Sequence, residues 1–329
     1  MSFPSSTGWR PRRNGGWIYP DIVDAGATGW TCLEFYTRRY GHSTVEEWGR
    51  RLQAGQIRRG NDVIGTETVL AAGDHLAYHR PGWTEPAAPR RFAVLHDDGD
   101  LLVVAKPAGL QVLPAAELLE NTLLHAVREK YGPEPAPAHR LGRGTSGLML
   151  FARSGPLRQG LATVFRDGGL RKTYRALVQG QHVPEKFEID VPIGRVEYPV
   201  LGHVYAAVAA EGKPSRSIVR RLEVRSDLDV CLVEVEIPTG RPHQIRIHLA
   251  AAGHPLVGEP LYEIGGKPTR IPHEEGAARI PRPGDMGYHL HAARVELTHP
   301  VDDTAVDLYC RPPSVLRRRH SATDIDRRA

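Results

Sequence analysis

The stretch HRLGRGTSGLMLFAR, residues 139–153, sets Arg140, Arg143, three glycines and the pair Thr145-Ser146 ahead of an apolar run, and it holds no carboxylate. Guanidinium groups suit phosphate and base edges, because their donors form a fixed planar fork. The order Gly142-Arg143-Gly144-Thr145-Ser146-Gly147 reads literally as G-x-G-x-x-G. That fingerprint works only between a strand and a helix, where the pyrophosphate meets a helix N-terminus. Here the proline-rich PEPAPA precedes it and an apolar run follows, which argues against a nicotinamide-dependent oxidoreductase. A nucleophile elbow is absent too, since Ser146 is followed directly by Gly147. A later stretch, PTGRPHQIRIHLAAAG, gathers the basic side chains Arg241, His243, Arg246 and His248. His243 and His248 are five apart and do not share a helix face well, so they read as structural or as contacts to a partner.

These residues need elements to hold them. Leu148–Ala152 reads as a buried strand, so residues 139–147 form a loop delivered to a site. Before it, FAVLHDDGDLLVVAKPAGLQVLP gives two apolar strands joined at Asp98-Gly99. A helix follows with Asn121 as cap and Gly132 as stop. After the loop, Pro156 suits the first turn of a helix reaching about Phe165, and KTYRALVQG alternates as a strand. SIVRRLEVRSDLDVCLVEVEI reads as a hairpin, and HQIRIHLAAAG as a helix with Pro242 at its start and Gly253 past its end. Few helices interleaved with hairpins predict α+β on a large mixed or antiparallel sheet with flanking helices.

The N-terminal part is organised differently. Residues 1–42 read as an unassigned arm bearing Trp9, Trp17 and Trp30. Thr44 caps a helix with Glu46 and Glu47 in its first turn and Val45, Trp48 and Leu52 on one face. Short strands broken at Gly60-Asn61 and Gly73-Asp74 complete a small α+β module over 43–80. Residues 81–91, PGWTEPAAPRR, read as a linker, 92–312 as the main domain, and 313–329 as a basic tail.

At 329 residues with 40% hydrophobic side chains the chain can bury two cores, and no apolar run is long enough to span a bilayer. The first thirty residues lack an apolar signal region, which predicts the cytoplasm and no membrane partner. Cys32, Cys231 and Cys310 are odd in number and far apart, a poor fit to a disulfide framework or a zinc site. A net charge of +5, with paired arginines such as Arg58-Arg59 and Arg220-Arg221, is compatible with a polyanionic partner.

Four blocks in strict order, KPAGLQVLP, HRLGRGTSGLMLFAR, KTYRAL and TGRPHQIRIHLAAAGHPLVGEPLY, resemble the RluA-type pseudouridine synthases over roughly residues 92–263. The helix from Thr44 with the strands after it resembles the small S4-type RNA-binding module. The resemblance implies an isomerase that turns uridine into pseudouridine in ribosomal or transfer RNA, as a monomer, without cofactor or metal. Such chemistry requires a flipped base. It implies that Arg140 displaces the base, with His139, Arg143, Thr145, Ser146, Arg241 and His243 toward the RNA. Tyr174 would stack on the uracil, Arg246 would pair with the catalytic aspartate, and Leu232, Ile245 and Leu249 would wall the pocket.

One position departs from the pattern. The family loop reads H-R-L-D, and the catalytic aspartate falls on Gly142. Glycine neither attacks carbon nor takes a proton, and Arg246 would become a buried charge without its partner, a costly arrangement. Glu117, Glu120, Asp167 and Glu259 lie near the matching blocks as substitutes. Two readings stay open: an isomerase with an altered or relocated catalytic group, or a non-catalytic RNA-binding or RNA-folding protein of the same descent. An acidic oxygen within hydrogen-bond reach of Arg246 would favour the first.

Overall fold

The computed structural model describes residues 9–199, 201–208, 211–269 and 280–319. It divides into two compact units, one of Pro11–Pro86 and one of Met1–Arg10 with Ala87–Ala329.

The larger unit is built on one ten-stranded sheet. Its main strands are β1 (Ala93–Asp97), β2 (Leu101–Lys106), β3 (Ser146–Ala152), β4 (Leu170–Gln179), β5 (Lys186–Asp190), β6 (Arg216–Arg225), β7 (Val230–Glu236), β8 (Leu290–Thr298) and β9 (Ala305–Tyr309). They lie in the order β5-β6-β7-β4-β8-β3-β2-β1, with β9 beside β8 and the short strand Ala136–Pro137 beside β3. The β3–β8 pair is parallel, whereas β2–β3, β4–β7 and β4–β8 are antiparallel, so the sheet is mixed as expected. All seven residues of β3 are buried, which explains why its sequence is a continuous apolar run rather than an alternation.

Three helices flank this sheet. Helix α1 (Leu123–Tyr131) is capped by Thr122, whose side chain accepts from the His125 amide, and not by Asn121 as the sequence suggested. Asn121 is fully buried one residue earlier. Helix α2 (Gly155–Asp167) has Ser154 as cap and Pro156 in its first turn, and Gly168 ends it in the left-handed region. Helix α3 (Gln244–Ala251) starts after Pro242 and is buried from Gln244 to Ala250. Its cap residue, His243, is itself left-handed at φ 55°.

The smaller unit packs the helices Cys32–Arg39 and Val45–Gln53 over a four-stranded sheet of Trp17–Ile22, His75–Arg80, Ile57–Arg59 and Asp62–Val63. Both helices begin with a capping box, Thr31 with Glu34 and Thr44 with Glu47. Trp48 and Leu52 are buried, but Val45 is 47% exposed and does not share their face. Of the stretch read as an arm, 1–42, Trp17–Ile22 is therefore a strand and Cys32–Arg39 a helix here. Part of the stretch read as a linker forms the strand Thr84–Ala88. The signal was weak because Trp17–Ile22 is a mostly exposed edge strand interrupted by Pro20. At the other end, Leu316 is buried and Arg225 donates to the carbonyls of Val315 and Arg317, so residues 313–319 pack on the domain; 320–329 lie outside the described residues.

Candidate active site

Residues 139–145 cross from the strand Ala136–Pro137 to β3, and three braces fix them. His139 Nε2 accepts from the Leu150 amide at 3.2 Å while its ring lies 5.3 Å from that of Phe165. Burial, helped by the Lys172 charge, pushes the imidazole down to about 3, so it is a neutral internal brace. The Arg143 carbonyl accepts from Gly109 N at 2.7 Å, and Arg143 Nε donates to the Gly109 carbonyl at 3.1 Å. Lys106 is the third brace, 1% exposed, donating to the carbonyls of Leu110 (2.7 Å), Pro107 (2.9 Å) and Arg143 (3.3 Å). Burial and the nearby Arg143 push its ammonium down to about 7.

The loop's polar side chains divide into two groups. Ser146 and Thr145 are buried. Ser146 Oγ lies 2.8 Å from His291 Nδ1, and His291 Nε2 lies 3.0 Å from the Cys310 carbonyl. The carbonyl can only accept, so Nε2 carries the proton and Ser146 donates to Nδ1. Thr145 Oγ1 lies 3.3 Å from the Tyr288 hydroxyl. Of the residues expected to meet RNA, Arg140 is exposed, whereas Ser146 and His139 are committed internally. Arg241 Nε donates to the Pro214 carbonyl at 3.2 Å, and His243 Nδ1 lies 2.7 Å from the Tyr262 hydroxyl. Burial and the charge of Arg246 push His243 down to about 3, so it too is neutral.

Sheet register places Tyr174. It pairs with Ala292 on β8, which pairs in turn with Gly147 on β3. The β4–β8 register shifts between Thr173 and Tyr174, a bulge that re-aims the side chain. Tyr174 is 7% exposed, and burial pushes its phenol up. Gly147 is obligatory at this rung: at φ +110° any Cβ would run into the Ala292 backbone. Ile245 and Leu249 share a core cluster with Tyr174 and Tyr288, whereas Leu232 packs in a separate cluster with Leu177 and Leu316. Leu232 is thus not a wall of this site; as neighbours in a strand alternate faces, hydrophobicity alone did not reveal its side.

Arg246 is buried, with its side chain 2% exposed. Its Nε donates to Glu259 Oε2 at 2.8 Å and its Nη2 to Glu259 Oε1 at 2.5 Å, a bidentate pair in which the Glu259 side chain is 1% exposed. Nη1 donates to the Pro283 carbonyl at 3.2 Å. The guanidinium lies between two aromatic faces, 4.4 Å from the Tyr288 ring and 5.1 Å from that of Tyr262. Burial alone would lower its pKa, but the Glu259 hydrogen bonds lead a set of interactions that raise it instead. Of the other three candidate carboxylates, Asp167 bonds Arg166 at the surface, Glu120 faces His125 at 4.0 Å, and Glu117 is exposed.

Sequence reasoning missed Tyr288. It is 5% exposed, and its hydroxyl lies 2.9 Å from the point where a Cβ on Gly142 would sit. A Cβ on Gly144 would meet its ring at 2.9 Å. The only sequence signal was the aromatic in GYHLHA just before a strand, which does not announce which loop it faces.

This arrangement can be set beside known proteins. The family model described as RNA pseudouridylate synthase matches residues 100–251. An uncharacterized RNA pseudouridine synthase of Synechocystis is 42% identical over 285 residues, covering 86% of this chain and 94% of that protein. The chain belongs to the RNA pseudouridine synthase family. RNA pseudouridine synthase 5 of Arabidopsis thaliana is 38% identical over 94% of this chain and 96% of its own. The ribosomal large subunit pseudouridine synthase D of Zymomonas mobilis is 30% identical over 72% and 74%. Among solved structures, human RNA pseudouridylate synthase domain containing 1 superposes with a TM-score of 0.54 at 25% identity, covering 70% of this chain and 86% of that one. The protein is therefore a pseudouridine synthase of the RluA type on the expected α+β fold, an isomerase by family, with RNA as the family's substrate. Among the described residues, no helix is long and apolar enough to cross a membrane.

Proposed function

We propose that this pseudouridine synthase is catalytically active despite Gly142, isomerising uridine in ribosomal or transfer RNA, in the cytoplasm and as a monomer. The observation that carries this reading is the bidentate Arg246–Glu259 pair. A site that had simply dropped an aspartate opposite Arg246 would leave that charge buried without compensation, at a cost of several kcal/mol. Instead the guanidinium keeps a full counter-charge. Glu259 supplies that pairing. Arg140, exposed on the loop, takes the place of the flipped base; Tyr174 stacks on the uracil, with Ile245 and Leu249 behind it. The module of residues 43–80 acts as an S4-type RNA grip, with Arg58 and Arg59 toward phosphate.

The test is to incubate the purified chain with RNA from cells that lack it and then to map pseudouridine. New sites are expected, and RNA binding should weaken with salt as counterions are released. Binding without any new site would overturn the catalytic reading and assign the chain to RNA binding or folding.

A further inference from the structure

We infer that the Tyr288 hydroxyl is the catalytic group of this enzyme, standing where the side chain missing from residue 142 would project. The inference rests on the isomerase reading and names the reacting atom within it. Three observations carry it. The phenol oxygen lies 2.9 Å from the position of a Cβ on Gly142, so it fills the space into which an aspartate would grow. Gly142 and Gly144 both make that room, since a side chain at either would collide with the phenol. The Tyr288 ring rests 4.4 Å from the Arg246 guanidinium, the group expected to face the catalytic carboxylate.

The alternatives at the site are spoken for. Glu259 Oε2 accepts from Arg246 Nε, while Oε1 accepts from Arg246 Nη2 and the Leu261 amide, so both of its oxygens are engaged in holding the guanidinium. Thr145 is an aliphatic alcohol, far less acidic than a phenol, and its Oγ1 sits 3.3 Å from the Tyr288 oxygen where it steadies that oxygen. Tyrosine is a competent nucleophile at an anomeric carbon, as some glycoside hydrolases demonstrate.

The chemistry balances without another reactant. The phenol oxygen bonds C1′ as the N1–C1′ bond breaks; the electron pair of that bond goes to the uracil and the phenol proton to N1. The uracil turns, and its C5 attacks C1′. The C1′–O bond breaks with its pair on the phenolate, which then takes the proton that C5 gives up. The products are pseudouridine and the original phenol.

The experiment compares the native chain with Tyr288→Phe on [5-³H]uridine-labelled RNA from cells lacking the protein, reading tritium release, RNA affinity and melting temperature. The native chain releases tritium and forms pseudouridine. Tyr288→Phe should lower the rate about 10²- to 10⁴-fold, with RNA affinity unchanged and the melting temperature lowered only by as much as loss of the Thr145 hydrogen bond costs. Release by Tyr288→Phe within a few-fold of the native rate, with the native chain active, overturns the role of Tyr288 alone. A native chain that binds RNA and releases nothing overturns both this inference and the isomerase reading. Should Tyr288→Phe not fold, 3-fluorotyrosine at 288 keeps the shape and makes the hydroxyl more acidic. The pH profile of kcat should then move to lower pH, and an unmoved profile overturns the proposal.

Discussion

Glu259→Gln is the most direct probe of what holds the site's floor together. The substitution keeps the side chain's size and one carbonyl acceptor but removes the negative charge opposite Arg246. Both partners are almost fully buried, with side chains 2% and 1% exposed, so water cannot replace what is lost. Breaking a buried pair by neutralising one partner costs about 3–5 kcal/mol, mostly as the penalty of an uncompensated charge. Near the midpoint, 1 kcal/mol shifts Tm by about 2–4 °C for a domain of 150–250 residues. The melting temperature should therefore fall by about 6–20 °C. The double variant Arg246→Met, Glu259→Leu removes both charges and should recover most of that loss, because it leaves no charge stranded. Urea unfolding of the three proteins measures the differences directly. A cost under about 1 kcal/mol for Glu259→Gln would refute the reasoning, since it would mean that the Pro283 carbonyl and the two aromatic faces already satisfy the guanidinium.

Three further outcomes are expected. Burial holds the His291 imidazole down to about 4, against about 6.5 when unfolded, so the unfolded chain binds the extra proton first. The contribution of His291 to stability is full above pH 6.5 and falls by about 1.4 kcal/mol per unit toward pH 4. His291→Gln should flatten that slope by about one proton in urea titrations, and an equal slope would sink the assignment. Gly147→Ala, forced into φ +110° against the Ala292 backbone, should leave little folded protein when expression and circular dichroism are measured. Arg140→Ala should reduce the salt slope of RNA binding by about one while Tm stays within a degree, because its side chain is exposed on the loop.

The larger unit was readable because its signals are local and strong. The turn at Asp98-Gly99, Pro156 in the first turn of α2 and the apolar run of β3 each specify a conformation on their own. Tyr174 and Arg246 were singled out by the ordered blocks that contain them, not by any local signal. What escaped depends on distance along the chain. The Tyr288 ring meets Gly142 and Gly144 only because β3 and β8 pair in parallel, and that pairing leaves no mark in either segment. Likewise, the reading of Ser146 as an RNA contact failed on orientation. Strand β3 begins at Ser146, and the Oγ there points to His291 across the same parallel pair.

Gly142 first looks like a deletion, a loop that lost its one reactive side chain. The geometry turns that into a matter of volume and charge. A carboxylate at 142 would add a second anion near Arg246, whose charge Glu259 already balances. Two carboxylates beside one guanidinium leave one of them under-compensated in a site where desolvation is expensive. A glycine at 142 is thus electrostatically consistent with Glu259, and its lack of bulk is consistent with Tyr288. The same argument accounts for Gly144, which the missing carboxylate alone does not explain: its Cβ would strike the Tyr288 ring at 2.9 Å. Residues 142, 144, 259 and 288 therefore behave as one set, and an aspartate placed at 142 should be tolerated only when Glu259 and Tyr288 change with it.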